Sequence, residues 1–161
     1  MGLKDLIKNV DVSNLRNASF AQGMLGNYSS FSIEDATKEY GMYLMNEENI
    51  VLGFKLIRDV LLFTDKRIIL VDKQGVTGKK TSIVSINLSS IVDVEMETAG
   101  FGFDDSELTF TYIKTPHLKA RHIEYVKHKL EFPKKYDVQS LYKLLQELAY
   151  ENYLSLNGLQ Q

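Results

Sequence analysis

The sequence predicts an α+β domain in which about seven short strands form a highly curved antiparallel sheet, with a helix after them. Three observations carry this reading. From Ile50 onward the apolar residues recur with a period near two, the repeat of a pleated strand. Turn-forming residues interrupt that pattern at hairpin spacing. After Asp137 the period lengthens to three and four, the repeat of an amphipathic helix.

The strands begin where Val51, Gly53, Lys55 and Ile57 alternate with Leu52, Phe54, Leu56 and Arg58. Further runs follow at 59–63, 67–72, 81–86, 91–98, 107–113 and about 120–132. Val92, Val94 and Met96 interleave with Asp93, Glu95 and Glu97, which reads as one face turned to the core. The breaks are Thr64-Asp65-Lys66, then 74–80, 87–90, 99–105, and 114–118 with its Pro116. Connections this short join antiparallel neighbours.

Two helices flank the strands. Ser32 is placed to cap a helix over about 33–45, with Asp35 at the capping-box position and 46–49 closing it. Asp137 caps the final helix, on which Val138, Leu141, Leu144, Leu145, Leu148 and Ala149 form one stripe. Pro133 sits before that helix, where it marks a boundary. At the other end, Leu3, Leu6, Ile7 and Val10 share a helical face, followed by an arm rich in Asn, Ser and Gly. The expected organisation is a helical arm over 1–32, a domain over 33–154 whose last helix occupies about 138–154, and a tail at 155–161.

Composition narrows the function classes. The 161 residues suit one domain, and 44% hydrophobic residues are enough for a core. A net charge of −2 opposes bulk attraction to nucleic acid or anionic lipid. Without cysteine, disulfides, thiolate chemistry and Cys-based zinc sites are excluded. The longest apolar runs, such as 60–63 and 68–71, hold four residues, against roughly 20 for a membrane span. Lys4, Asp5 and Lys8 interrupt any signal-peptide stretch, and Leu6 stands where myristoylation expects Ser or Thr. The expected location is therefore cytoplasmic. Charge is uneven: residues 93–107 carry six carboxylates and no Lys or Arg, whereas 114–135 carry seven Lys or Arg against two Glu. Opposite charges on neighbouring strands read as a solvated, compensating sheet surface.

The stretch Gly75-Val76-Thr77-Gly78-Lys79-Lys80 looks like a phosphate-binding loop, but the spacing G-x-x-x-x-G-K-[ST] is absent. Residues 81–86 then alternate as a strand, so no helix N-terminus faces a phosphate. The segment is a hairpin connection. His117, His122 and His128 fall close together, yet on a strand over 120–132 the last two would stand about 20 Å apart, too far for one ion. Asp104-Asp105-Ser106-Glu107 lacks the calcium-loop pattern, and no nucleophile or metalloprotease motif occurs. Phe54, Phe63, Phe110 and Tyr112 sit at core strand positions and not on a stacking platform for nucleic acid.

“FTDKRIILVDKQGVTGKK”, followed by “TSIVSINLSSIVDVEMETAG” and “ELTFTYI”, resembles the bacterial pleckstrin-homology-like family, a domain of unknown function. The preceding “FKLIRDVLLFTDKR” matches its usual start, and the resemblance covers about residues 33–154. It implies a strongly bent seven-stranded antiparallel β-barrel capped by the C-terminal helix. It also implies homo-oligomeric, ring-like assembly, and neither enzymatic activity nor a cofactor. Residues 1–32 lie outside the resemblance, and 114–135 is longer and more basic than the family's final hairpin.

The expected function is that of a non-enzymatic interaction or assembly module, acting through an uncovered strand edge or the face of the last helix. Strands 51–57 and 68–71 carry few charges to deter pairing. The arm residues Leu3, Leu6, Ile7, Leu15, Phe20, Met24 and Leu25 are expected to pack on the domain or, in preference, on a neighbouring subunit. The alternative is binding of an anionic lipid headgroup or a peptide. Lipid-binding relatives use a long basic loop between the first two strands, where this chain has only Arg58-Asp59. Lys66, Arg67, Lys73, Lys79 and Lys80 remain the candidates for anion or partner binding, offset by Asp65 and Asp72. Membrane attachment is expected to be weak or absent, and nucleic-acid binding absent.

Titration calorimetry with magnesium-bound ATP or GTP should show no saturable heat. A micromolar dissociation constant abolished by Lys79→Ala would overturn the hairpin reading of 74–80.

Overall fold

The computed structural model describes residues 32–56, 59–74, 80–100, 105–116, 119–134 and 138–159. The expected arm and its helix lie outside these. The described residues fall into two compact units, 32–88 and 89–159.

In the first unit, helix α1 (Ile33–Tyr40) opens on Ser32, whose hydroxyl accepts from the Asp35 amide at 3.0 Å. The expected helix over 33–45 is shorter than the sequence predicts. At Gly41–Tyr43 the chain tightens into a 3-10 turn, Leu44 N donating to Gly41 O at 3.1 Å, and Leu44 is then extended. Strands β1 (Ile50–Lys55), β2 (Asp59–Thr64), β3 (Arg67–Gln74) and β4 (Lys80–Asn87) form one antiparallel sheet in that order. Ala36 and Tyr40 of α1 pack with Ile50, Val60, Leu62, Ile69 and Val71. The alternate residues Leu61, Phe63, Ile68 and Leu70 are buried too. Burial on both faces explains why the four-residue runs of β2 and β3 are continuously apolar. Residues 68–71 are no sheet edge, because β3 is hydrogen-bonded to β2 and β4.

The turn between β2 and β3 is tied to the segment before β1. Thr64 Oγ1 accepts from Lys66 N at 3.1 Å and Arg67 N at 2.9 Å, folding Thr64–Arg67 on itself. The same hydroxyl lies 2.7 Å from Glu48 Oε1. Arg67 Nε and Nη2 donate to the two Glu48 carboxylate oxygens at 2.9 and 3.0 Å, a bidentate pair. Arg67 also donates to Tyr43 O at 2.6 Å and to Ser85 Oγ at 2.5 Å. Glu48 is 6% exposed, and Met45 N donates to its Oε2 at 2.7 Å. Glu47 takes a positive φ of 57° just before it, a left-handed step that costs about 1 kcal/mol and reverses the chain there. Asn49 and Asp65 add a reciprocal pair of bonds, Asp65 N to Asn49 O and Asn49 N to Asp65 Oδ1.

In the second unit, β5 (Ile91–Glu97), β6 (Ser106–Ile113) and β7 (Tyr125–Phe132) form an antiparallel sheet, followed by α2 (Val138–Leu156). Val138, Leu141, Leu145, Leu148 and Ala149 of α2 are buried, as are Ile91, Val94, Leu108, Phe110, Leu130 and Phe132 of the sheet. The strand expected over 120–132 begins only at Tyr125. Before it, Lys114 N donates to Glu124 O at 2.9 Å and Glu124 N to Thr115 Oγ1 at 2.7 Å, which closes a loop in place of a longer ladder. Beyond α2, Gly158 adopts φ 66°, and Leu159 N donates to Leu154 O at 2.8 Å, a glycine stop for the helix.

The seven strands and the C-terminal helix are those the sequence predicts. The closed barrel is not seen among the described residues, whose ladders make a sheet of four and a sheet of three. No helix among them is long and apolar enough to cross a membrane.

Burial alone would push the Glu48 carboxyl up, but the bonds from Arg67, Thr64 and Met45 N and the Arg67 charge outweigh it, lowering the pKa from 4.5 to about 2. A folded pKa below the unfolded one stabilises fully above about pH 4.5, and that stabilisation is lost as pH falls toward 2. Glu48→Gln should therefore cost about 3 kcal/mol at pH 7, with the deficit shrinking as the pH is lowered through that window. Urea unfolding at several pH values measures this. A variant within about 0.5 kcal/mol of the parent at pH 7 would contradict it.

Candidate interaction surfaces

Of the five basic residues proposed for anion or partner binding, the four within the described residues stand at the two ends of the β3–β4 hairpin. Lys66 and Arg67 stand at the start of β3, and Lys73 near its end, six residues or about 20 Å away. The register places Lys73 opposite Thr81 and Lys80 opposite Gln74, so these two lysines share the far end of the hairpin. Lys79 lies outside the described residues. Lys66 Nζ donates to Asn46 O at 3.0 Å. Arg67 turns its guanidinium inward to Glu48, Tyr43 and Ser85, so its donors serve the fold.

Opposite charges compensate on the second unit, between neighbouring strands at Lys129 and Glu107 and across an intervening strand at Lys127 and Glu95. The acidic β5 and the basic β7 are not neighbours, since β6 runs between them. Thr109 and Thr111 occupy middle positions of this face, and over them Lys127 reaches from β7 to β5, whereas Lys129 meets Glu107 on the adjacent β6. Lys127 Nζ meets Glu95 at 2.5 Å and Lys129 Nζ meets Glu107 at 2.5 Å. These bonds hold both ammonium groups above their ordinary range. The pairs are open to water, so salt screens them and they add little stability.

The histidines are dispersed. His122 lies in the loop before β7, so it shares no strand face with His128. His128 stacks on Phe110 with ring centroids 5.8 Å apart. His117 lies outside the described residues.

A second surface was missed in the sequence. The register of β5 slips between Ile91 and Asp93, leaving Val92 as an extra residue. Asn152 Nδ2 donates to Ile91 O at 2.7 Å and fixes α2 beside this bulge. The last turns of α2 and the neighbouring strands leave a groove of about 330 Å³ lined by Val92, Ile113, Ile123, Tyr125, Tyr153, Leu156 and Asn157. Tyr125 and Tyr153 are 59% and 54% exposed. The available signal was that Tyr150, Tyr153 and Leu156 continue the apolar character of α2 past the stripe ending at Ala149.

Two antiparallel sheets of four and three strands followed by a C-terminal helix define a pleckstrin-homology-like domain. The bacterial PH domain family model matches residues 19–149, and the chain belongs to that family. It is similar to a pleckstrin homology domain from Shewanella amazonensis SB2B, 35% identical with a TM-score of 0.59, over 81% of this chain and 98% of that one. A DUF1696 family protein with a pleckstrin-homology domain from Shewanella loihica PV-4 is 32% identical with a TM-score of 0.54, over 73% of this chain and 93% of that one. The uncharacterized protein YjqA of Bacillus subtilis (strain 168) is 49% identical over 89 residues, 55% of this chain and 71% of that protein.

Proposed function

We propose that the chain is a non-enzymatic binding module that associates with copies of itself by pairing exposed strand edges. The observation that carries this is β4. It is a terminal strand of the four-stranded sheet, it has no charged residue after Lys80, and Ile83 and Val84 are half-buried while Thr81 and Ser85 are exposed. Among the described residues no further strand is paired to β4, and a terminal strand with so little charge has little to repel a second strand. The other terminal strands are less suited. β1 is buried over most of its length, β5 carries Asp93, Glu95 and Glu97 outward, and β7 carries Lys127, Lys129 and Glu131 outward. Membership of the bacterial PH domain family supports a binding role, with surface complementarity as its mechanism.

Light scattering coupled to size exclusion should report a mass several times 18.4 kDa for the full chain. Ser82→Lys together with Val84→Lys should lower that mass while leaving the circular dichroism unchanged. A strictly monomeric chain at ~100 μM, enough to populate even a micromolar dimer, would defeat the reading.

A further inference from the structure

Strand β4 carries three hydroxyl residues, Thr81, Ser82 and Ser85, and the last is distinguished by what it meets. Ser85 is exposed, and its Oγ accepts from Arg67 Nη1 at 2.5 Å. We propose that Ser85 is a phosphorylation site, and that a phosphoryl group there closes the β4 edge to a second strand.

The donors of Arg67 favour this serine. A guanidinium has five N–H groups in a fixed fork. Glu48 takes one from Nε and one from Nη2, and Tyr43 O takes the other from Nη2. Nη1 has two, and among the described residues only one is used, toward Ser85 Oγ. The buried pair therefore holds a cation in place, its side chain 12% exposed, with a further donor on the nitrogen nearest an exposed hydroxyl. A phosphoserine brings about −2 charge and three acceptor oxygens, which suit a charge-assisted bond to that nitrogen while Glu48 keeps its own two donors. Ser82 stands opposite Asp72 in the register, where a phosphoryl group would meet a like charge. Thr81 stands opposite Lys73, with no arginine bonded to it among the described residues.

In the modification, Ser85 Oγ attacks the terminal phosphorus of a nucleoside triphosphate supplied by a protein kinase. The bond from that phosphorus to the departing nucleoside diphosphate breaks, and the hydroxyl proton passes to the kinase's base. The product places a dianion on a strand that has no charge after Lys80, so two such strands brought together repel. Closure of the edge rests on the reading of β4 as the pairing strand; the phosphoryl site itself rests on Arg67 and Ser85.

Phosphoserine should be incorporated during synthesis of the full chain, at position 85 and, separately, at position 82. By light scattering, the unmodified chain should weigh several times 18.4 kDa and the chain with phosphoserine 85 should fall to the mass of one copy. By phosphorus-31 titration, the phosphate at 85 should lose its second proton about half a pH unit below the one at 82, whose ordinary value is near 6. The chain purified from its own cells should yield a phosphorylated 81–87 peptide. An unmodified chain that is already monomeric defeats the pairing reading and the closure with it, and leaves the site to the other two measurements. Assembly that survives phosphoserine 85 overturns the closure alone. Equal titration at 85 and 82, or a native 81–87 peptide without phosphate, overturns the site.

Discussion

The pair between Glu48 and Arg67 is the constraint around which the first unit is arranged. A carboxylate with 6% exposure is costly to bury, and only a full complement of donors offsets that cost. Arg67 supplies two, Thr64 a hydroxyl and Met45 an amide. The donors come from two pieces of chain, the β2–β3 turn and the segment just before Glu48. The pair therefore fixes the turn after the 3-10 segment, the β2–β3 turn and, through Ser85, the end of β4 in one arrangement. The arrangement also uses the end of the 3-10 turn, where Tyr43 O accepts from Arg67 just before the chain becomes extended at Leu44.

This geometry moves the search for function away from the basic turn. Arg67 combines the best donors among the five candidate cations, and they point into the protein. Lys127 and Lys129 are likewise matched with carboxylates. Two other surfaces suit a recognition domain: a terminal strand charged only at Lys80 in one unit and a groove beside the last helix in the other. The two surfaces differ in kind. A strand edge recognises backbone, whereas a groove recognises side chains.

Much of the fold was legible because its signals are local. Alternation along 91–97, the turn residues at 64–66 and the three-and-four repeat from Val138 each report their own element. The register between elements is not local, and the misreadings cluster there. Residues 68–71 look unprotected along the chain, but pairing on both sides makes them interior. Acidic and basic segments consecutive in strand order suggest neighbours, but β6 separates β5 from β7, and only Glu107 and Lys129 pair on adjacent strands. Nothing in Asn46-Glu47-Glu48-Asn49 says which glutamate turns inward; that is decided by the left-handed step at Glu47 and by Arg67 arriving 19 residues later. The groove was illegible for a similar reason. Val92 reads as one more inward residue of an alternating strand until the bulge re-aims it.

The central claim is that Arg67 serves the fold through Glu48, and a double-mutant cycle tests it most directly. Stability should be measured for the parent, Glu48→Gln, Arg67→Met and the double variant. Because either single change strands a buried partner, the two losses should be far from additive, with a coupling energy of about 2–3 kcal/mol. Additivity within about 0.5 kcal/mol would contradict the account and return Arg67 to the set of residues free to meet a ligand.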